Sequence, residues 1–249
     1  MILEHSMHET WLSNTYLVAD RPGGHAVIID TGGPTGPILE AIGALHVTVT
    51  HVLCTHHHVD HVQNNAFYRR RFGCPVAGHP AERAWFDRLD LLLEDGDEIA
   101  TGGLRIRALH IPGHTLGQLG FLVNRERVFT GDTLFRRSVG GTRGPGHTTF
   151  EDLHHSIMER LMKLPHATLV HPGHTQPTDI GDEWKHNPFI RAWRHADEII
   201  ERPCLALGRP ATLLLRARDY DGGSKCWVRF EDGGTLDLVP GSRVRRLDG

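Results

Sequence analysis

The chain has 249 residues, with 27 Lys and Arg against 30 Asp and Glu, for a formal net charge of −3. That length suits one large domain, or one with a small annex, and the charge gives no general footprint for nucleic acid. Apolar residues at 39% suffice for a packed core, but no apolar run is long enough to span a membrane. Residues 1–9 have neither the basic start nor the apolar stretch of a secretion signal, so a cytoplasmic protein is expected. Cys54, Cys74, Cys204 and Cys226 lie far apart without a Cys-x-x-Cys pair and read as free thiols in a reducing compartment. The 20 histidines stand out, because imidazole is the commonest metal ligand.

In chain order, residues 14–19 and 26–30 read as two short strands joined at Arg21-Pro-Gly-Gly. The second runs into Asp30-Thr-Gly-Gly-Pro and a helix over 37–45. Residues 47–54 are β-branched and apolar and predict a buried strand, with a helix following over 63–71. A helix is expected over 81–93, a strand over 104–110, and a hairpin from 119–123 and 128–130. The helix over 150–164 is the clearest, with Leu153, Ile157, Leu161 and Leu164 on one face. A strand over 168–171 and a helix over 189–201 complete an α/β body. Composition shifts near Arg202-Pro-Cys. Four short strands with turns at Asp221-Gly-Gly and Asp232-Gly-Gly then predict a small, barrel-like β module docked on the main body. The expected division is a catalytic domain over 1–202 and an all-β module over 203–249.

Residues 56–61 read His56-His57-His58-Val59-Asp60-His61, directly after the apolar strand. Side chains alternate along an extended chain, so His56 and His58 point to one side and can reach one metal ion. A helical turn after His58 would swing Asp60 and His61 round towards a second ion. A polar surface loop is the alternative, and four ligand-type residues so close together weigh against it. Three more residues stand where a strand gives way to a turn, each directly after glycine. They are His114 in Ile111-Pro-Gly-His-Thr, Asp132 in Phe129-Thr-Gly-Asp-Thr and His174 in His171-Pro-Gly-His-Thr. Glycine permits a tight bend there that aims a short side chain inward. Taken singly, each reads equally well as an ordinary turn; together they have the form of an α/β active site.

The set His56-x-His58-x-Asp60-His61, His114, Asp132 and His174 resembles the metallo-β-lactamase-fold superfamily over about residues 10–180. The resemblance implies a four-layer αββα sandwich with metals at one edge of its two sheets. It also implies two divalent ions, zinc first and iron or manganese as alternatives. By motif position His56, His58 and His114 would hold one ion, Asp60, His61 and His174 the other, and Asp132 would bridge them.

Asp132 offers oxygen where some lactamases of the superfamily have a soft Cys thiolate, which argues against antibiotic hydrolysis of that kind. Its nucleases carry an inserted domain and basic surfaces, and its flavodiiron members a flavin domain; neither fits this length and charge. The text Pro112-Gly-His-Thr-Leu-Gly-Gln, Gly131-Asp-Thr-Leu-Phe and Pro172-Gly-His-Thr is similar to the glyoxalase II and persulfide dioxygenase branch. What that implies is a metallo-hydrolase cleaving the thioester of an S-acyl conjugate of a small thiol. Bound water, with its pKa lowered from 15.7 towards ~7, would supply the attacking hydroxide. Asp60 and Asp132 are the catalytic candidates. The alternative is a mononuclear Fe(II) persulfide dioxygenase, using His56, His114 and Asp132 as its two-His, one-carboxylate site.

Between Asp132 and the long helix lies a Gly-rich segment with Arg136, Arg137 and Arg143, candidate grips for a substrate carboxylate, or else a plain connecting loop. Glyoxalase-like relatives often have Gly-Arg-Thr-Asp here, whereas this chain has Gly140-Gly-Thr-Arg. The β module also replaces the helical domain of glyoxalase II, so glutathione itself is not carried over. His57 is expected to face away from the ligands, and His171 to partner a metal-bound imidazole. His154 and His155 read as exposed, Arg69-Arg70-Arg71 as a solvated helix end, and Trp227 and Phe230 as module core. A non-catalytic, metal-bound protein that binds a partner through the module, with Arg216, Arg218, Arg229, Arg243, Arg245 and Arg246, is a third reading; deleting 205–249 would separate it. The expected partner of the enzyme is a small-molecule thiol conjugate, with no membrane and no nucleic acid; a homo-oligomer is compatible with the sequence.

Overall fold

Two six-stranded sheets lie face to face in the computed structural model, which describes residues 1–247. Residues 248 and 249, the end of the expected module, lie outside the described residues. The first sheet runs in chain order: β1 Ile2–Met7, β2 Asn14–Ala19, β3 His25–Ile29, β4 Thr48–Leu53, β5 Val76–Gly78 and β6 Leu91–Leu92. The second begins with β7 Glu98–Thr101, β8 Leu104–His110, β9 Leu119–Val123 and β10 Arg127–Gly131. A two-stranded ribbon follows, β11 Leu134–Phe135 with β12 Ser138–Val139. The second sheet then closes with β13 Leu169–Pro172, parallel to β10, and β14 Thr178–Asp179.

Strands covered on both faces must be apolar on both, and β2 and β3 are. Tyr16, Val18, Val27 and Ile29 meet Ile106, Phe121 and Phe129 of the second sheet. Their alternates Leu17, Ala19, Ala26 and Ile28 meet Ile38 and Ile42 of helix α1 (Thr35–Leu45). Between β4 and β5 come the single turn α2 (Val59–Val62) and helix α3 (Asn65–Phe72), whose Tyr68 joins that layer. On the far side, α4 (Phe150–His155), α5 (Ile180–His186) and α6 (Pro188–Trp193) bury Phe150, Leu153, Ile180, Phe189 and Ile190 against Val128 and Val170. Each such side chain contributes about 1.5–3 kcal/mol when fully buried. The result is the helix–sheet–sheet–helix sandwich. None of the described helices is long and apolar enough to cross a membrane, and all four cysteines are buried and free.

Three sequence expectations are corrected. Residues 81–93 hold only a 3₁₀ turn, Pro80–Trp85, before β6, because Glu82 is drawn inward by the histidine loop and Asp90 caps the β5 edge through Val76 N–H. The helix expected to Glu201 stops at Trp193. His195 turns left-handed (φ 54°) and the Arg191 guanidinium reaches forward to Asp197, reversing the chain. Helix 150–164 keeps its apolar face, with Leu153, Ile157 and Leu161 fully buried, but passes through a π turn and a 3₁₀ turn after His155.

The C-terminal sheet has five antiparallel strands: β15 Arg202–Ala206, β16 Arg209–Arg218, β17 Ser224–Phe230, β18 Leu236–Pro240 and β19 Val244–Arg246. β15 is the strand that a Pro-containing segment concealed. Phe230 lies in this sheet's own core with Cys204, Val228 and Val239. Trp227 does not. One position along the strand it faces the other way, and it packs with Phe150 and Trp193 of the main body.

Candidate metal centre

Strand β4 ends at Leu53, and the chain reaches His56 and His58 before α2 carries Asp60 and His61 back towards the sheet edge. A β-bulge between Phe129 and Gly131 ends β10 and delivers Asp132 to the same edge. The turns after β8 and β13 deliver His114 and His174. Ligand-type atoms gather there in three overlapping groups, each within 4.8 Å: His56, His58 and His114; His56, His61 and Asp132; Asp60, His61 and His174.

Two glycines make room for this. Gly131 has φ 48°, and a Cβ there would fall 2.6 Å from Thr55 Oγ1. Gly173 needs no left-handed backbone; its constraint is space, since a Cβ would fall 2.3 Å from Asp132 Oδ1 and 2.7 Å from His61 Cε1.

The hydrogen bonds around the site fix which nitrogen of each ring points inward. His114 Nδ1 lies 2.9 Å from Gly141 O, His174 Nδ1 2.8 Å from Trp11 O, and His58 Nε2 3.0 Å from Pro145 O, so each of these nitrogens donates. Thr55 Oγ1 gives its proton to Asp30 Oδ2 (2.8 Å) and therefore accepts from His56 Nδ1 (3.1 Å). His61 Nδ1 donates to the same Asp30 Oδ2 at 3.0 Å. A neutral imidazole has one N–H, so the remaining nitrogens carry lone pairs. Those lone pairs converge: His58 Nδ1 is 3.1 Å from His56 Nε2 and 3.0 Å from His114 Nε2, and His61 Nε2 is 3.3 Å from His174 Nε2. Burial holds His56 and His58 below the ordinary imidazole pKa and brings His114 down to about 4, so all three stay neutral near pH 7.

Burial opposes charge on His61 too, but the Asp132 and Asp30 carboxylates overbalance it and raise its pKa well above the ordinary value. Burial also works against the Asp132 charge, yet His174 and His61 hold that carboxyl well below the usual range. Asp132 Oδ1 is buried without a hydrogen-bond partner, 3.3 Å from His61 Nε2, while Oδ2 lies 3.2 Å from His174 Nε2 and 3.6 Å from His114 Nε2. Asp60 Oδ2 stands 3.5–3.6 Å from His174 and His61. Facing lone pairs and an orphaned buried carboxylate oxygen fit divalent cations.

The structure thus brings together His56, His58, Asp60, His61, His114, Asp132 and His174. Two of the three arginines are engaged by carboxylates. Arg137 binds Asp182 (2.8 Å) and Glu183 (3.0 Å), Arg143 pairs with Asp237 of β18, and Arg136 is exposed. His57 points away from the cluster, pairs with buried Glu82 and stacks on Trp85. His171 is corrected: it lies against Phe129 and Arg127, and the imidazole partners are Asp30 and the Trp11 carbonyl instead. His154 is half-buried against Trp193, while His155 is exposed. Sequence reasoning missed Asp30, Thr55 and Glu82. Asp30 stands at the end of a strand directly before Thr, as Asp132 does, and that was the available signal.

A family model described as the metallo-beta-lactamase superfamily matches residues 9–174. The chain belongs to that superfamily. An uncharacterised protein of Mycobacterium tuberculosis is 37% identical over 207 residues, covering 71% of this chain and 92% of the relative. A hydroxyacylglutathione hydrolase of Haemophilus influenzae is 31% identical over 188 residues, covering 68% and 88%. Among solved structures, ETHE1 from Myxococcus xanthus superposes with a TM-score of 0.69 at 32% identity, covering 76% of this chain and 84% of that one.

Proposed function

We propose that this superfamily member is a metal-dependent thioesterase that hydrolyses an S-acyl conjugate of a small thiol at a pair of divalent ions, zinc in the first instance. The observation that carries this reading is the shared carboxylate: Asp132 faces His114 with one oxygen and faces both His61 and His174 with its pair of oxygens. Likeness to the hydroxyacylglutathione hydrolase supports the choice of thioester. His56, His58 and His114 would hold one ion, Asp60, His61 and His174 the other, and Asp132 would serve both. Bound divalent ions supply a hydroxide near neutral pH and an electrophile for the acyl oxygen. Asp60, the more exposed carboxylate of the cluster at 24%, would ligate through Oδ2, the oxygen facing His61 and His174, and its other oxygen would orient the attacking water and take its proton. Asp30 keeps His61 in one tautomer throughout, and Glu82 keeps the His57 backbone fixed.

The test is elemental analysis of protein purified without added metal, alongside turnover of S-acyl glutathione and S-acyl conjugates of other small thiols. About two ions per chain with thioester cleavage is the expected result. The likeness to ETHE1 favours one rival, a persulfide dioxygenase with a single Fe(II) on His56, His114 and Asp132. Iron at one per chain, no thioester cleavage, and oxygen uptake with a persulfide would establish that rival instead.

A further inference from the structure

The C-terminal sheet reaches the metal centre through the turn between β16 and β17. Tyr220 on that turn stacks on the ring of His174, with centroids 4.6 Å apart and planes 24° from parallel. Phe135 of the ribbon touches both rings, 4.5 Å from Tyr220 and 5.9 Å, edge-on, from His174. The turn is pinned beside the cluster by buried polar groups. Asp219 Oδ1 accepts from Ser138 Oγ at 2.7 Å and from Tyr220 N–H at 2.9 Å. Asp219 Oδ2 lies 3.2 Å from Lys225 Nζ. Lys225, only 6% exposed, also donates to the Val139 carbonyl. Ser138 and Val139 form the strand of the ribbon that follows Asp132, so one Asp–Lys pair clamps the C-terminal sheet to the segment delivering the shared carboxylate.

We propose that Tyr220 is a positioning residue of the metal centre, contributed by the C-terminal sheet, whose ring fixes the imidazole of His174 for metal binding. The proposal rests on the metal-binding part of the reading above and not on the thioester. The hydrogen bond from His174 Nδ1 to Trp11 O fixes one edge of the ring but leaves rotation about that edge open. A stacked partner on the ring face removes that freedom. Aromatic pairs of this kind correspond to about 2- to 12-fold in an equilibrium constant. The C-terminal sheet is then part of the centre, not an appendage to it.

The experiment measures zinc and cobalt affinity of the full chain by chelator competition, with the visible spectrum of the cobalt form, for Tyr220→Ala and Tyr220→Phe. Tyr220→Ala is expected to weaken the ion on Asp60, His61 and His174 by about 2- to 12-fold and alter the cobalt spectrum, with Tyr220→Phe restoring both. Arg209→Ala, at an exposed Arg–Asp pair elsewhere on the same sheet, should match the wild type. Wild-type affinity in Tyr220→Ala overturns the proposal, and so does equal loss in Tyr220→Ala and Tyr220→Phe. If Tyr220→Ala does not fold, Tyr220→Leu replaces it, keeping apolar volume without a stacking face, under the same criteria. A wild type that binds metal but cleaves no thioester refutes the thioesterase alone. One that binds neither zinc nor cobalt refutes the metal centre and this proposal together.

Discussion

Replacing Asp30 by Asn is the sharpest probe of the centre, because it removes charge and one acceptor without changing shape. Asp30 accepts three hydrogen bonds: Thr55 N–H on Oδ1 at 2.8 Å, and Thr55 Oγ1 and His61 Nδ1 on Oδ2 at 2.8 and 3.0 Å. An amide can satisfy only one side. If its NH2 sits at the Oδ1 position it opposes the buried Thr55 N–H, and leaving that donor unpaired costs about 1–3 kcal/mol of folding stability. If the NH2 sits at the Oδ2 position, His61 must accept on Nδ1 and so carries its proton on Nε2, aimed into the cluster. Thr55 would then donate to His56 Nδ1 and invert that tautomer as well. The second arrangement keeps the fold and spoils two metal ligands. Loss of such an orienting partner lowers metal affinity by about 10- to 100-fold, or roughly 1.4–2.8 kcal/mol. Zinc competition and urea unfolding on Asp30→Asn read the two costs separately. Wild-type zinc affinity together with wild-type stability would refute the tautomer argument.

Glu82→Ala strands the buried His57 ring and the Gly117 N–H that Glu82 Oε1 accepts at 2.8 Å. Each buried donor left unpaired is expected to cost about 1–3 kcal/mol, measured by denaturant unfolding; a total loss under ~1 kcal/mol would contradict it. Leu153→Ala opens a void under the Pro112–Gly113 turn, and about 2–5 kcal/mol should be lost while metal content per folded chain stays constant. The Arg137 guanidinium brings the Asp182 carboxyl down to about 2. A depressed carboxylate pKa stabilises above its ordinary value near ~3.9 and ceases to as pH falls through the folded value. The stability gap between wild type and Asp182→Asn should therefore be flat above about pH 5 and vanish near pH 2. Asp182 is about one-third exposed, so screening keeps the gap within ~1 kcal/mol, and a gap that widens towards low pH would reverse the sign.

The sequence by itself determined an α/β body and its candidate ligands, and the resemblance those ligands carry implied the two-sheet sandwich. Alternating or continuous apolar strands end in His, Asp or Gly, and those local signals survive because each ligand-bearing strand, β4, β8, β10 and β13, buries at least one face in the sandwich. Tertiary structure decided what lies around the ligands. Asp30 and Trp11 fix the tautomers of His61 and His174, yet nothing local to either residue marks it as their partner across 31 and 163 positions of chain. Arg137 looked available for substrate until the fold placed Glu183 beside it. Trp227 looked like module core until the strand register turned it to the main body. Tyr220 is an unremarkable turn residue in the sequence. It becomes part of the centre only because the Asp219–Lys225 pair docks its turn against the ribbon that follows Asp132. Periodicity and ligand spacing are local properties that the sequence carries; a ring's second hydrogen bond and the partner of a buried charge arise from packing between segments distant in the chain.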